Sequence, residues 1–297
     1  MSDLRLGAYV LAADPTWIRS SLARYYDHLD DLVVSASESG RGWTGVPVSV
    51  EECLAALREI DVRGIVRVVR GEWIDPLNPM VADTAQRQAA LDAVGSDVDW
   101  VLQFDTDELL PSVPALLAVL DRADELGIGV VEWPMRVLYR KLARGRFLEI
   151  VARDGRPRYD YPGPIAVRPG THLIDARRAG GAYLRPVVQG DDVSLQIARA
   201  AEPDEVREVL LTDGDAIVHN SWARAARSVH RKVRSWGHGG SLRAALYYWL
   251  VWLPTPFLWR IMRDIHPFAR GLWPRLAVLQ DVPALDPRDL RQGGGRS

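Results

Sequence analysis

Apolar and polar residues alternate in blocks along the first half of the chain. Leu4 to Ala12 is a mostly apolar run and predicts a strand. Asp14-Pro15 suits a cap and first turn, and Trp17, Ile18, Leu22 and Tyr25 then share one helical stripe. Leu32 to Val34 is a short apolar strand, and Ser35 to Pro47, rich in Ser and Gly, reads as a loop. Ser49 with Glu52 has the spacing of a capping box and predicts a helix to about Ile60. Ile65 to Val69 is a third strand. A Pro-broken loop leads to a helix over Val81 to Val94 and a strand over Trp100 to Phe104. Pro114 to Leu126 predicts another helix, and Ile128 to Trp133 another strand. Strands alternating with helices imply an α/β fold with a mixed, mainly parallel sheet flanked by helices.

The pattern loosens after Trp133. Residues 145–190 are rich in Gly, Pro and Arg, as in Tyr161-Pro-Gly-Pro164, and predict loops and short strands facing a substrate. Asp192 to Ala201 reads as helical, Ala216 to Val218 as a short strand delivering His219, and Trp222 to Ser235 as a helix with a basic face. Residues 244–259 carry no charge. They fall short of the ~20 residues that span a bilayer, and Pro254 and Pro256 interrupt them. Two readings stay open for residues 244–262: packing on the core or a second copy, or peripheral contact with a membrane through Trp and Tyr. The polar, Gly-rich tail from Asp286 to Ser297 reads as disordered.

Composition adds three points. A chain of 297 residues, 47% hydrophobic, can bury the core of a large α/β domain with an extension. Charge is uneven: residues 222–297 hold 13 Arg and Lys against 4 Asp and Glu, which suits an anionic partner: phosphates, nucleic acid or a lipid surface. Cys53 is the single cysteine, so no intrachain disulfide forms, and its apolar helical setting makes it a buried, inert thiol. The N-terminus lacks the basic-then-apolar profile of a signal peptide, so the expected location is cytoplasmic, including the inner face of the membrane.

The candidate chemistry centres on Val101-Leu-Gln-Phe-Asp-Thr-Asp-Glu-Leu-Leu-Pro111. Asp105, Asp107 and Glu108 place three carboxylates at the carboxyl end of a buried strand, the edge where open α/β sheets bind ligands. Crowded carboxylates repel one another, and a cation between them relieves that repulsion.

This arrangement resembles the GT-A-fold glycosyltransferases, family 2 type, over about residues 1–235. The resemblance implies a metal-dependent enzyme that moves a sugar from a nucleotide-sugar donor to a hydroxyl of a glycan or glycolipid, with no nucleic acid partner. It implies that Asp105 and Asp107 hold Mn²⁺ or Mg²⁺ against the donor diphosphate, Asp107 directly and Asp105 through water or the donor ribose. Glu108 is then an orienting group. It implies a donor-side role for Arg87 in the helix before this strand, although a solvated helix Arg is an equal reading. In Gly190-Asp191-Asp192 it implies a general base for inverting transfer, Asp192 first and Asp191 second. The family usually has Glu-Asp there, and the alternative is a turn that caps the next helix. It implies His219 as a further metal ligand. Ala12 and Glu38 fall near the nucleotide base of the donor. Arg231 and Lys232, in the basic helix with Arg224, Arg227 and Arg234, fall near the diphosphate. Acceptor candidates are Tyr161, Arg168, His172 and Trp133, the last a ring face for a sugar or else a core Trp. The implied organisation is a catalytic domain over 1–221, a basic, aromatic helical extension over 222–285 and the tail.

Rival readings remain at this level. A haloacid-dehalogenase-type phosphohydrolase also uses Asp-X-Asp at a strand end, a Lys and a later Gly-Asp-Asp, here Asp105, Lys141 and Gly190 to Asp192. Against it, Leu109 stands where that motif wants Thr or Val. A nucleotidyltransferase would carry a Gly-rich basic loop after the first strand, which Leu11 to Pro15 lacks. A non-catalytic sugar- or nucleotide-binding protein of the same fold is the third.

Overall fold

The computed structural model describes residues 4–235, 246–267, 269–280 and 284–292; the side chains of 231–235 and 290–292 are outside that description. In chain order the elements are β1 (Leu6–Leu11), α1 (Ile18–Leu22), β2 (Leu29–Ser37), α2 (Val50–Ile60), β3 (Val66–Gly71), α3 (Pro79–Asp92), β4 (Trp100–Leu102), β5 (Glu108–Leu109), α4 (Val113–Glu125), β6 (Val130–Val131), β7 (Met135–Lys141), β8 (Phe147–Val151), β9 (Ala166–Val167), β10 (Leu173–Asp175), β11 (Arg178–Ala179), β12 (Tyr183–Val188), α5 (Leu195–Ala198), β13 (Glu205–Leu211), β14 (Ile217–His219), α6 (Ala226–Ser235) and β15 (Arg275–Val278).

Among the described residues an eight-stranded sheet has the order β13-β12-β6-β9-β4-β1-β2-β3. Every pairing in it is parallel except those of β9, which runs against β4 and β6. This is the expected α/β class. The central strands are apolar because helices cover both faces: all six residues of β1 are buried. At Gly7 a side chain would not fit, since a Cβ there would lie 2.5 Å from Val94 Cγ1 where the segment after α3 crosses β1.

A second sheet, β15-β8-β7-β14-β5, stands beside the first. The chain leaves the large sheet at Leu102 and enters the small one at Glu108. Residues 103–107 are therefore the bridge between the sheets. β14 pairs antiparallel with β5, so His219 lies opposite Glu108.

Several local expectations change. The Ser49 side chain makes no capping bond; its N–H donates to the Ala13 carbonyl (3.1 Å) and ties α2 to the loop after β1. The helix expected over Asp192 to Ala201 shrinks to α5, four residues long. The helix expected from Trp222 begins at Ala226, because Trp222 is buried and its N–H donates to Leu138. The extension is not purely helical: β15 pairs with β8 and completes the small sheet. Nor are residues 286–292 a loose tail, since Pro287–Gln292 forms a helix whose Asp289 is buried against α1. Residues 293–297 lie outside the described residues.

The aromatic segment packs on the core through one set of its residues and leaves another set exposed. Tyr247, Tyr248 and Trp252 are buried with Tyr139 and Trp222, while Trp249, Leu250, Phe257 and Ile261 are exposed. No helix among the described residues is long and apolar enough to cross a membrane.

Candidate active site

The bridge between the sheets places Asp105, Asp107 and Glu108 in three different environments. Glu108 is fully buried. Arg177, on the turn between β10 and β11, grips it with two bonds (3.0 and 2.8 Å) and also donates to the Gln103 carbonyl (3.1 Å). The Asp105 N–H donates to Glu108 Oε2 (3.1 Å), and Ser21 Oγ donates to the Glu108 carbonyl. Glu108 therefore braces the bridge from inside, through Arg177 and the Asp105 N–H.

Asp105 keeps about a third of its side-chain exposure, 31%, so it faces the open edge. Its Oδ1 accepts from Arg87 Nη2 (3.0 Å), and Arg87 Nε donates to Asp83 (2.7 Å). Burial alone pushes the Asp105 carboxyl up, but Arg87, Arg177 and His219 outweigh it and hold the group well below the usual carboxylate range. Burial likewise raises Asp83. Arg87 is buried, which rules out the solvated-helix reading, and its Nη1 finds no hydrogen-bond partner among the described residues.

Asp107 is buried and paired with Arg224, whose guanidinium also pairs with Asp14 in the loop after β1. Arg224 Nε donates to the Asn220 carbonyl (3.1 Å), and the Asn220 N–H donates to the Asp107 carbonyl (2.9 Å). One arginine thus ties together the β1 loop, the bridge and the exit from β14. Burial opposes its charge, yet Asp107 and Asp14 raise its affinity for its proton above the ordinary arginine value. His219 Nε2 lies 3.7 Å from Asp107 Oδ2.

The remaining candidates separate clearly. Asp191 and Asp192 leave the carboxyl end of β12, the same sheet edge as Asp105, with β6 and β9 between the two strands. Asp192 is exposed and paired with Arg156 (2.6 Å). Asp191 Oδ1 accepts from the Val193 and Ser194 N–H groups (3.2 and 3.1 Å), while its Oδ2 is buried without a partner among the described residues. Ala12 is buried and its N–H donates to the Ser35 carbonyl; Glu38 is exposed beyond the end of β2. The side chains of Arg231 and Lys232 lie outside the described residues.

The acceptor candidates need correction. Trp133 is fully buried with its Nε1 on the Asp215 carbonyl (2.9 Å), so no ring face is open to a sugar. Tyr161 is buried, its hydroxyl on Pro186. Arg168 lies at the opposite sheet edge, donating to the Asp99 carbonyl that precedes β4, with its guanidinium 4.1 Å from the Trp100 ring. His172 is exposed on the turn entering β10. Arg177 escaped sequence reading, because nothing in an Arg-rich loop marks which arginine turns inward; only the need of a buried Glu108 for a cation points to one.

No protein-family model matches the chain, and no curated protein matches it. Solved structures are similar to parts of the chain. 4-Diphosphocytidyl-2C-methyl-D-erythritol synthase from Anaerococcus prevotii is 12% identical, covering 56% of this chain and 70% of its own, at a TM-score of 0.32. Mannose-6-phosphate isomerase from Helicobacter pylori is 12% identical, covering 48% and 58%, at 0.29. Mannose-1-phosphate geranyltransferase from Thermus thermophilus is 8% identical, covering 57% and 51%, at 0.25. Likenesses this distant carry no weight for the chemistry of the site.

Proposed function

We propose that this protein is a glycosyltransferase that uses a nucleotide-sugar donor and a hydroxyl acceptor. The observation that carries the reading is the bridge between the sheets: a half-open Asp105 and a buried Asp107, each held by its own arginine, at the carboxyl edge of a parallel sheet. Arg224 is the cation for the donor diphosphate. Bond breaking at the anomeric carbon sends its electron pair to the diphosphate, and a fixed guanidinium stabilises that charge. Asp191 is the better base of the acidic pair. Its Oδ2, buried and without a hydrogen-bond partner among the described residues, is the oxygen that would take the acceptor hydroxyl's proton, whereas Asp192 is paired with Arg156.

A divalent cation is part of this proposal. Among the described residues no group of three or more His, Cys, Asp or Glu is disposed to hold a metal. Asp107 and His219 are a two-donor set, which fits a cation held jointly by protein and substrate phosphates; the imidazole favours Mn²⁺ over Mg²⁺. When bound, it supplies Lewis-acid stabilisation of the leaving diphosphate.

Lys141 speaks against the phosphohydrolase. It is exposed at the end of β7, four residues beyond Val137, the register partner of His219, and so roughly 13 Å along the strand.

Calorimetric titration with nucleoside diphosphates tests the reading. One of them should bind in the presence of Mn²⁺, and chelation of the metal should weaken binding. Stabilisation by phosphate alone, with no nucleotide preference, would instead favour the hydrolase.

A further inference from the structure

A second recess lies beside the turn that carries Asp191. It is a cleft of ≈ 130 Å³ with an apolar floor from β7 and β8, and Arg158, Tyr159, Asp160, Leu195, His266 and Trp273 are among the residues that line it. The Tyr159 N–H donates to Ser194 Oγ (2.8 Å), and the Ser194 N–H donates to Asp191, so cleft and turn are one hydrogen-bonded unit.

Arg158 is the informative residue. It is buried, and its Nη1 donates to the Gly271 carbonyl (2.8 Å). Yet among the described residues no carboxylate lies within ion-pair distance of it. Arg87, Arg177 and Arg185, equally buried, each meet one. Burial pulls the Arg158 guanidinium below its ordinary range, and Asp160 and Asp191 oppose this only in part. A buried cation without a counter-ion, lining a cleft, is an incomplete ion pair. Asp160 is already an acceptor for the Tyr161 N–H (3.0 Å) and the Gln196 amide (3.0 Å), and it repels a second anion. A ligand must therefore set one negative group on Arg158 and turn hydroxyls toward Asp160. Trp273 and His266, edge-on at 4.3 Å, supply an aromatic wall. The volume is below the ~300–1,000 Å³ of pockets that enclose whole ligands, so the cleft takes a single terminal unit.

We propose that this cleft is the acceptor subsite for an acidic sugar, with Arg158 pairing its carboxylate or phosphoryl group. The inference rests on the transferase reading with Asp191 as base, and it names the acceptor class.

The test is binding of methyl glucuronide, glucose 6-phosphate and neutral methyl glucoside to the full chain, with a nucleoside diphosphate titrated in parallel. The glucuronide or the phosphate ester should bind, and methyl glucoside should bind at least tenfold more weakly, about one charge-assisted bond. Whichever acid binds more tightly assigns the anionic group. Arg158→Gln should lose roughly 10- to 100-fold for the acid and keep nucleotide affinity. Because Arg158 also holds the Gly271 carbonyl, Leu195→Trp is the companion variant: it fills the cleft from its exposed rim, leaves Arg158 in place, and should remove acid binding with an unchanged melting temperature. Equal binding of acid and glucoside, or wild-type acid affinity in Leu195→Trp, overturns the subsite. Absence of nucleotide binding by every form, with acid binding intact, overturns the transferase reading instead.

Discussion

At the scale of residues, three carboxylates within four positions have different environments, and so different expected mutant effects. Glu108 and Arg177 form a fully buried, bidentate pair. Glu108→Gln removes one charge of it and should lower stability by about 3 kcal/mol or more, read by denaturant unfolding. Asp105→Asn acts at the open side of the same bridge, and Asp107→Asn at the buried partner of Arg224. Arg224→Ala should keep the fold, because Trp222 and Asn220 anchor the segment by their own backbone bonds, but lower donor turnover by about 100-fold. An Arg224→Ala enzyme with wild-type turnover would remove the arginine from the mechanism.

At the scale of elements, two serines that look alike in sequence behave differently. Ser112 caps α4, its Oγ accepting from the Ala115 N–H (3.1 Å), whereas Ser49 uses only its backbone. Ser112→Ala should destabilise the protein by about 1 kcal/mol and Ser49→Ala by much less, read by thermal unfolding. At the β12–β13 edge, Glu205 joins Arg185, Arg199 and Arg207. Burial works to raise its carboxyl, but the arginines and the Glu202 N–H hold it down at about 2. A depressed carboxyl contributes stability above its unfolded value, about 4.3, and that contribution is lost as pH falls toward the folded one. Wild type should therefore be more stable than Glu205→Gln at neutral pH, with the difference closing between about pH 4.3 and 2. A difference that persists below pH 2 would contradict the charge pairing.

At the scale of the whole molecule, residues 286–289 close against α1 and α2. Asp289 accepts from the Ser20 N–H and Oγ (2.8 and 2.6 Å), and Arg288 pairs with Glu59 (2.7 Å). Deleting residues 286–297 takes Asp289 from the Ser20 groups, while Glu59 keeps Arg19, and should lower the unfolding free energy by about 1–3 kcal/mol.

Sequence reading fares best where the signal is periodic. The alternation of apolar strands with striped helices gave β1 to β4 and the sheet class, and an apolar run ending in Asp-X-Asp located the bridge. It fares worst where long-range pairing decides. A polar, Gly-rich tail gave no hint that Asp289 would be buried, and a strand as short as β15 exists only because β8 offers it an edge. Trp133, Tyr161 and Arg168 looked like sugar contacts by residue type, but burial and hydrogen bonding consume all three.

The measurement that bears most directly on the account is release of nucleoside diphosphate from a panel of nucleotide sugars with Mn²⁺, for wild type and Asp107→Asn. One donor should be turned over by wild type, and Asp107→Asn should lose at least about 100-fold while remaining folded. Turnover of that donor by Asp107→Asn at the wild-type rate would contradict the assignment of the bridge as the diphosphate site.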